Sequence, residues 1–177
     1  MSDETRSLPL QYRAMTIARV RAADAAADTP DALEMSLSSE APVERMGWEG
    51  SYHEILDHSP AAVDLSRAER GLPLLLDHDA RRQVGRLLSV RLEDGRLVGQ
   101  PVFSRSTLGQ ETEQDVRDGI RQEVSVGYRV LSMDLVGKDA AGTPTYRCAW
   151  MPYEATLTAV PADHTVGVGR EADRDAF

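Results

Sequence analysis

The sequence has 177 residues, a length typical of one domain that can bury a core of its own. Its formal net charge of −9 disfavours general nucleic-acid binding, which needs a basic surface. The single cysteine, Cys148, excludes an internal disulfide and a cysteine zinc cluster, and we expect neither a metal site nor a cofactor.

The first half of the chain begins with short, mostly extended segments. Residues 1–10 are polar and lack the apolar core of a signal peptide. Alternating patterns at 12–20 and 33–39 each predict a strand. Residues 51–57 favour a turn of helix, and 64–70 a short helix. No apolar run approaches the ~18 residues of a membrane span, so we expect a cytosolic protein without a membrane partner.

A strand buried on both faces follows at 72–76, where four of the five residues are leucine. It ends abruptly in the acid–imidazole–acid sequence of residues 77–79. Strands at 84–92 and 97–103 are predicted to form a hairpin, because the Asp-Gly pair in 93–96 is typical of a tight turn.

The hydrophobic period then changes. Apolar side chains recur every four positions in 106–120, which predicts an amphipathic helix N-capped by Ser106 or Thr107. This helix leads directly into a strand at 123–130. The later strands are predicted at 146–150 and 153–160.

The strand at 123–130 carries one residue with chemical potential. Valine and tyrosine side chains occupy one face, whereas Ser125, Gly127 and Arg129 share the other. A stiff backbone would hold the Ser125 hydroxyl in place, and Gly127 would let a backbone or ligand come close. The pattern fits a nucleophile, and it also fits an ordinary strand serine.

His78 is the candidate general base. It follows the buried strand and lies between Asp77 and Asp79, and neighbouring carboxylates can orient an imidazole. A serine hydroxyl attacks only where a base takes its proton, so Ser125 and His78 form a candidate pair. The alternative is a solvated loop histidine flanked by two loop acids.

Glu154 is the candidate third group. It lies among apolar and small residues in a predicted strand, and buried carboxylates are rare unless paired. An imidazole partner would account for it; the alternative is an edge-strand glutamate facing water. Asp163 and His164, near a predicted turn, are weaker rivals. Cys148 is disfavoured as a nucleophile because no histidine neighbours it in sequence.

Six short motifs occur in a fixed order along the chain. They are Leu75-Leu76-Asp77-His78-Asp79, Val84-Gly85-Arg86, Asp118-Gly119, Val124-Ser125-Val126-Gly127-Tyr128, Tyr153-Glu154 and Val160-Pro161-Ala162-Asp163. Together they resemble the prohead (procapsid maturation) protease family of tailed bacteriophages, over about residues 33–168. The resemblance implies an α+β fold similar to the herpesvirus assembly proteases, mainly an antiparallel β-barrel flanked by a few helices.

The resemblance also implies roles for single residues. The family's serine matches Ser125 and its histidine matches His78. The third member, which varies within the family and is a histidine in the herpesvirus enzymes, best matches Glu154. The chain would then be a serine endopeptidase with a Ser-His-Glu triad. The oxyanion or substrate-binding candidates, between which the sequence does not choose, are Gly127, Arg129 and Arg86.

The role implied by the resemblance is cleavage of the scaffolding segment of the phage major capsid protein, and of the protease itself. Cleavage would occur inside the assembling procapsid in the host cytoplasm, by a protease that is a homodimer or higher oligomer. The segment 150–169 also resembles proteases made as a fusion with the major capsid protein. The expected organisation is a flexible segment with a strand candidate at 1–30, a protease domain at 31–168, and a tail or processing junction at 169–177.

Two other functions remain open from the sequence. One is a non-catalytic capsid-assembly or scaffold component that keeps the same barrel; the other is a generic β-barrel binding module. The arrangement of His78, Ser125 and Glu154 separates them, because a protease needs these side chains on one face and within reach of each other.

Overall fold

The computed structural model describes residues 10–16, 33–48 and 50–159. Asp163, His164 and the predicted C-terminal tail lie outside these ranges. The described residues form nine strands, one α-helix and one 3₁₀ turn. The strands are β1 (Leu10–Thr16), β2 (Met35–Ser39), β3 (Val43–Gly47), β4 (Gly50–Leu56), β5 (Leu72–Leu76), β6 (Asp79–Glu93), β7 (Arg96–Phe103), β8 (Glu123–Lys138) and β9 (Pro144–Thr158), and the helices are the 3₁₀ turn Ser66–Ala68 and α1 (Thr107–Arg117).

The long strand β9 is the centre of the sheet. One of its edges pairs with β8 in antiparallel fashion over nearly its whole length. The other edge pairs in parallel with β4 at residues 145–148 and with β5 at residues 155–157. The C-terminal end of β9 therefore lies between β8, which carries Ser125, and β5, which leads into His78.

The sheet follows the order β1-β8-β9-β5-β6-β7-β2, with the β3–β4 hairpin attached to β9. Along this path the two end strands, β1 and β2, pair only with β8 and β7 among the described strands. The fold is mostly β with one α-helix, but the sheet is mixed and open. The predicted antiparallel barrel flanked by a few helices is therefore not confirmed, because alternation in sequence identifies strands without fixing their partners.

Several predicted elements differ from the observed ones. Residues 51–57 are predicted to form a turn of helix, but residues 51–56 belong to β4, which forms a hairpin with β3. The short helix expected at 64–70 is only the 3₁₀ turn, where the Asp64 carboxylate accepts from the Ser66 N–H. The helix prediction at 106–120 is confirmed as α1, and Ser106 is its N-cap.

The hydrophobic core lies on one face of β8 and β9. Val124, Val126, Tyr128 and Val130 of β8 are all buried there, and the Tyr128 ring packs edge-on against Trp150 at a centroid distance of 5.8 Å. Because side chains alternate along a strand, the other face of β8 presents Ser125, Gly127 and Arg129. The core thus fixes which face the candidate residues occupy.

Candidate active site

The turn between β5 and β6 positions His78. Asp77 and His78 both have left-handed backbone conformations, with φ of 51° and 57°, as the central residues of a two-residue hairpin turn of type I′ require. The Asp77 N–H donates to the Leu157 carbonyl at 3.0 Å, and the His78 N–H donates to Thr156 Oγ1 at 3.0 Å. Two hydrogen bonds therefore fasten this turn to β9.

The His78 ring reaches back along β9 to Glu154. Its Nδ1 lies 2.6 Å from Glu154 Oε1, a distance typical of a charge-assisted hydrogen bond. The Glu154 side chain is 10% exposed and that of His78 is 26% exposed. With Nδ1–H donating to the carboxylate, Nε2 is the basic nitrogen of the ring.

Ser125 lies on the same face of the sheet as this pair. In the antiparallel register of β8 and β9, Ser125 is opposite Thr156 and Gly127 is opposite Glu154. Directly opposite residues project from the same face, so these four side-chain positions share one surface. His78 contacts two of them, Thr156 and Glu154. The sheet therefore brings His78, Ser125 and Glu154 to one face, with Ser125 itself only 2% exposed.

The three oxyanion or substrate-binding candidates lie in different places. Gly127 is buried beside Ser125 on this face. Arg129 is exposed two residues further along β8, with its guanidinium 5.1 Å from the centre of the Tyr153 ring. Arg86 lies on β6 and donates to the backbone carbonyls of Arg70 and Gly71. Three steps across the sheet separate β6 from β8.

The two acids beside His78 contact arginines of β6. Asp77 forms an ion pair with Arg82 at 3.3 Å, and Asp79 forms one with Arg81 at 3.0 Å. Hydrogen bonds from the Arg81 side chain and backbone hold the pKa of Asp79 below its usual range. Within the described chain, Glu154 is therefore the carboxylate that contacts the His78 ring. Cys148, the other nucleophile considered, is buried in the core.

A second serine–histidine pair, which the sequence did not indicate, lies in the core. Ser38 Oγ is 2.7 Å from His58 Nε2, and His58 Nδ1 is 2.8 Å from the Leu56 carbonyl. Both residues are buried, and the His58 ring packs against Trp150. The Leu56 backbone carbonyl orients the His58 imidazole, whereas the Glu154 carboxylate orients the imidazole of His78. Its burial and its packing are those of a structural contact that satisfies two buried polar groups.

The sequence also gave no sign of a buried polar network behind the serine strand. Tyr128 donates to Glu54, and Arg45 donates to the Tyr128 hydroxyl at 2.8 Å and to Glu54 Oε1 at 3.2 Å. Burial, together with the Glu54 charge, raises the pKa of Tyr128 well above its usual range. A protonated phenol thus joins the β3–β4 hairpin to the core side of β8.

No three or more His, Cys, Asp or Glu side chains in the described ranges are grouped so that they could hold a metal ion. Within the same part of the chain, no helix has the length and apolar character needed to cross a membrane.

Comparison with known proteins finds a similar sequence in a phage major capsid protein. No protein-family model matches the chain. In sequence it is 40% identical over 144 residues to the major capsid protein of Halomonas phage phiHAP-1, a match that covers 79% of this chain and 23% of that protein. The chain therefore spans about a quarter of the length of this curated relative.

Comparison with solved structures finds a similar fold in a phage protease. The fold is similar to that of the bacteriophage T4 capsid assembly protease, gp21, with a TM-score of 0.53 and 9% sequence identity. The match covers 86% of this chain and 98% of that chain. The resemblance to phage prohead proteases that the six motifs indicated is therefore confirmed at the level of the fold.

Proposed function

We propose that this chain, which shares its fold with a phage capsid assembly protease, is a serine endopeptidase of capsid maturation. The observation that carries the proposal is the 2.6 Å contact between His78 Nδ1 and Glu154 Oε1 on the face that Ser125 shares. A serine, an imidazole and a carboxylate on one surface are the groups that acyl transfer requires.

The mechanism assigns one task to each group. Glu154 accepts the Nδ1–H of His78, so Nε2 can take the proton of Ser125 as its Oγ attacks the peptide carbonyl. Glu154 then stabilises the imidazolium, which protonates the leaving amine. A water molecule, deprotonated by His78, hydrolyses the acyl-enzyme and regenerates Ser125.

Gly127 provides room for the substrate in this mechanism. It is on the face of Ser125 and opposite Glu154, so a side chain there would project toward the reacting groups. A peptide backbone can lie close to a strand where a glycine leaves no Cβ. Backbone N–H groups near Ser125 or the Arg129 guanidinium would then donate to the oxyanion.

The natural substrate proposed is the scaffolding segment of the phage's major capsid protein, together with the protease itself. Similarity to part of a major capsid protein supports this, because it fits a protease that is made joined to its substrate. Cleavage would take place within the procapsid. The second candidate function is a non-catalytic capsid-assembly component of the same fold, which the burial of Ser125 favours.

Co-expression with the capsid protein tests the proposal. The masses of both chains are measured for the wild type, for Ser125→Ala and for Ser132→Ala, which removes an exposed serine from the same strand. We expect cleavage in the wild type and in Ser132→Ala, and none in Ser125→Ala. Unchanged cleavage in Ser125→Ala would exclude Ser125, and absence of cleavage in all three would favour the assembly component.

A further inference from the structure

The tip of the β3–β4 hairpin presents an exposed indole. Trp48 is fully exposed, and Met46, two residues before it, is 80% exposed. Among the described residues, the Trp48 Nε1–H has no acceptor. Trp150, the other tryptophan, is completely buried and donates its Nε1–H to the Asp57 carbonyl at 2.8 Å. Tryptophan is enriched at protein interfaces because its ring is apolar and its N–H needs a partner, so this tip has the character of an interface.

A cavity near the start of β8 is large enough to hold an indole. Residues 119–123, together with Thr158 and Ala159, line a cavity of about 440 Å³. Pockets that bind small ligands have volumes of roughly 300–1,000 Å³, so one indole ring can enter. Ile120 is 74% exposed and provides an apolar wall.

Gln122 gives this cavity a hydrogen-bond acceptor. Its Nε2 group donates to the Gly119 carbonyl, whereas its Oε1 atom is buried and has no hydrogen-bond partner among the described residues. A buried acceptor without a partner is unfavourable, because it has lost its bond to water. Rotation of the terminal amide would present Oε1 to a donor that enters the cavity. The indole Nε1–H can only donate, so it matches this atom.

The hairpin tip and the cavity lie at opposite ends of β9. In the parallel pairing of β4 with β9, His53 is opposite Thr145, so the tip lies beyond the N-terminal end of β9. The cavity contains Thr158, the last residue of β9. The thirteen residues from Thr145 to Thr158 span roughly 43 Å of strand. A contact between Trp48 and the cavity therefore joins two molecules.

We propose that Trp48 of one copy of this chain inserts into the cavity of a second copy. Its Nε1–H donates to Gln122 Oε1, and its ring packs against Ile120. The two surfaces of this contact are different, so the contact is heterologous and can repeat from copy to copy into a ring or a chain.

The cavity also borders the candidate active site. Glu123 is opposite Thr158, as Ser125 is opposite Thr156 two residues further along β8. Two residues of a strand span roughly 7 Å. A copy that docks in the cavity therefore lies next to the proposed catalytic face, but the association itself does not require cleavage.

The first experiment measures association in a protein that lacks the candidate nucleophile. Sedimentation velocity follows Ser125→Ala over a wide range of concentration, and the other substitutions are added to this parent. We expect species larger than a dimer for the parent and for the control Met46→Ala, which shortens an exposed apolar side chain of the same hairpin. Trp48→Ala and Ile120→Glu should be monomeric. Gln122→Met, which removes the acceptor, should weaken association about tenfold.

A mixture of the two monomeric variants tests whether the contact is heterologous. Trp48→Ala keeps the cavity and lacks the indole, whereas Ile120→Glu keeps the indole and carries a charge in the cavity wall. We expect the mixture to form a one-to-one complex that grows no further, because one productive contact remains. The fluorescence of Trp48 in the Ile120→Glu protein should shift to shorter wavelength as its ring leaves water.

Urea denaturation shows whether each variant is folded, and equal midpoints separate lost association from lost folding. Monomeric parent protein at every concentration, unchanged association in Trp48→Ala, or no complex in the mixture of folded variants would each overturn the proposal. Association that appears only after removal of residues 160–177 would assign the cavity to that segment and would also overturn it. Loss of capsid cleavage with association intact would count against the proposed protease and leave this inference standing.

Discussion

At the scale of single residues, His78 depends on two side chains of β9. Its ring contacts the Glu154 carboxylate, and its backbone N–H donates to the Thr156 hydroxyl. The first contact selects the tautomer of the imidazole, and the second holds a turn whose two central residues have left-handed conformations. Each contact can be removed by substitution of one residue.

Substitution of Glu154 tests the tautomer. Glutamine in its place can present an N–H₂ group to Nδ1, which would favour the tautomer with its proton on Nε2 and remove the base. We expect Glu154→Gln to lower the cleavage rate by about 10³–10⁴-fold. Peptide hydrolysis measures the rate, and Glu111→Gln, on the exposed side of α1, is the matched control. A loss below about tenfold would show that Glu154 does not orient His78.

Substitution of Thr156 tests the turn. Valine has the same shape but no hydroxyl, so the partly buried His78 N–H would lose its acceptor at a cost of about 1 kcal/mol. We expect Thr156→Val to lower kcat more than KM, and Thr156→Ser to restore it. Equal kinetics for Thr156→Val and the wild type, with the free energy of unfolding lowered, would assign Thr156 a purely structural role.

The sequence indicates the three proposed catalytic residues but not the side chains that contact them or lie behind them. Ser125 and Glu154 are polar residues among apolar neighbours, and His78 is an imidazole between two acids at the end of a buried strand. Thr156 could have been found from Glu154, since residues two apart in a strand share a face. The Ser38–His58 pair could not, because its partners come from separate segments 20 residues apart.

At the scale of elements, the β3–β4 hairpin supports the serine strand from its core side. Arg45 of β3 and Glu54 of β4 both contact the Tyr128 hydroxyl of β8. Glu54 is completely buried. Removal of one partner of a buried ion pair leaves the other charge uncompensated, whereas removal of both does not.

Two variants test this network. We expect Glu54→Leu to lower the free energy of unfolding by about 3 kcal/mol, because the half-buried Arg45 guanidinium and the buried Tyr128 hydroxyl would both lose the Glu54 carboxylate. The double variant Arg45→Met/Glu54→Leu should recover part of that loss. Urea denaturation measures both. A double variant less stable than Glu54→Leu would show that the remaining arginine is not the source of the loss.

The elements were predicted unevenly from the sequence. The four-residue period and the Ser106 cap were sufficient for α1. The sequence predicts a turn of helix at residues 51–57, but pairing with β3 and β9 makes residues 51–56 a strand. Pairing between distant segments determines such short stretches more than local preference does. Nothing in the sequence of β9 indicates that it pairs in parallel with β4 and β5.

At the scale of the whole molecule, we expect two carboxylates near Arg147, those of Glu40 and Asp57, to make the stability of the fold depend on acid. A hydrogen bond from the His58 backbone lowers the pKa of Glu40, and one from the Ser59 backbone lowers the pKa of Asp57. A carboxyl group with a lower pKa in the folded state stabilises it above the unfolded pKa. That stability is lost as the pH falls through the folded pKa.

We therefore expect the free energy of unfolding to decrease as the pH falls below about 4.5. In Glu40→Gln/Asp57→Asn this decrease should be smaller, because both variant side chains are uncharged at every pH. Urea denaturation at several pH values measures the slope. Glu44→Gln, an exposed residue of β3, is the control. Identical slopes for the double variant and the wild type would show that these two groups do not govern acid sensitivity.

The sequence predicts the strand-rich architecture, but the predicted closed barrel is not confirmed. The sequence predicts mainly β-strands flanked by a few helices, and the described residues form nine strands and one α-helix in a fold similar to that of the T4 capsid assembly protease. The closed barrel was not confirmed, because closure depends on whether β1 and β2 pair with each other. Among the described strands they pair only with β8 and β7. No local pattern in either strand specifies that choice.

The central claim is that Ser125 is a nucleophile activated by His78. The most direct measurement is the mass of the peptide containing Ser125 after treatment with a fluorophosphonate, in material that is actively cleaving the co-expressed capsid protein. We predict a covalent adduct on Ser125 in the wild type and none in His78→Ala. Continued capsid cleavage with Ser125 unmodified, or the same adduct in His78→Ala, would contradict the account.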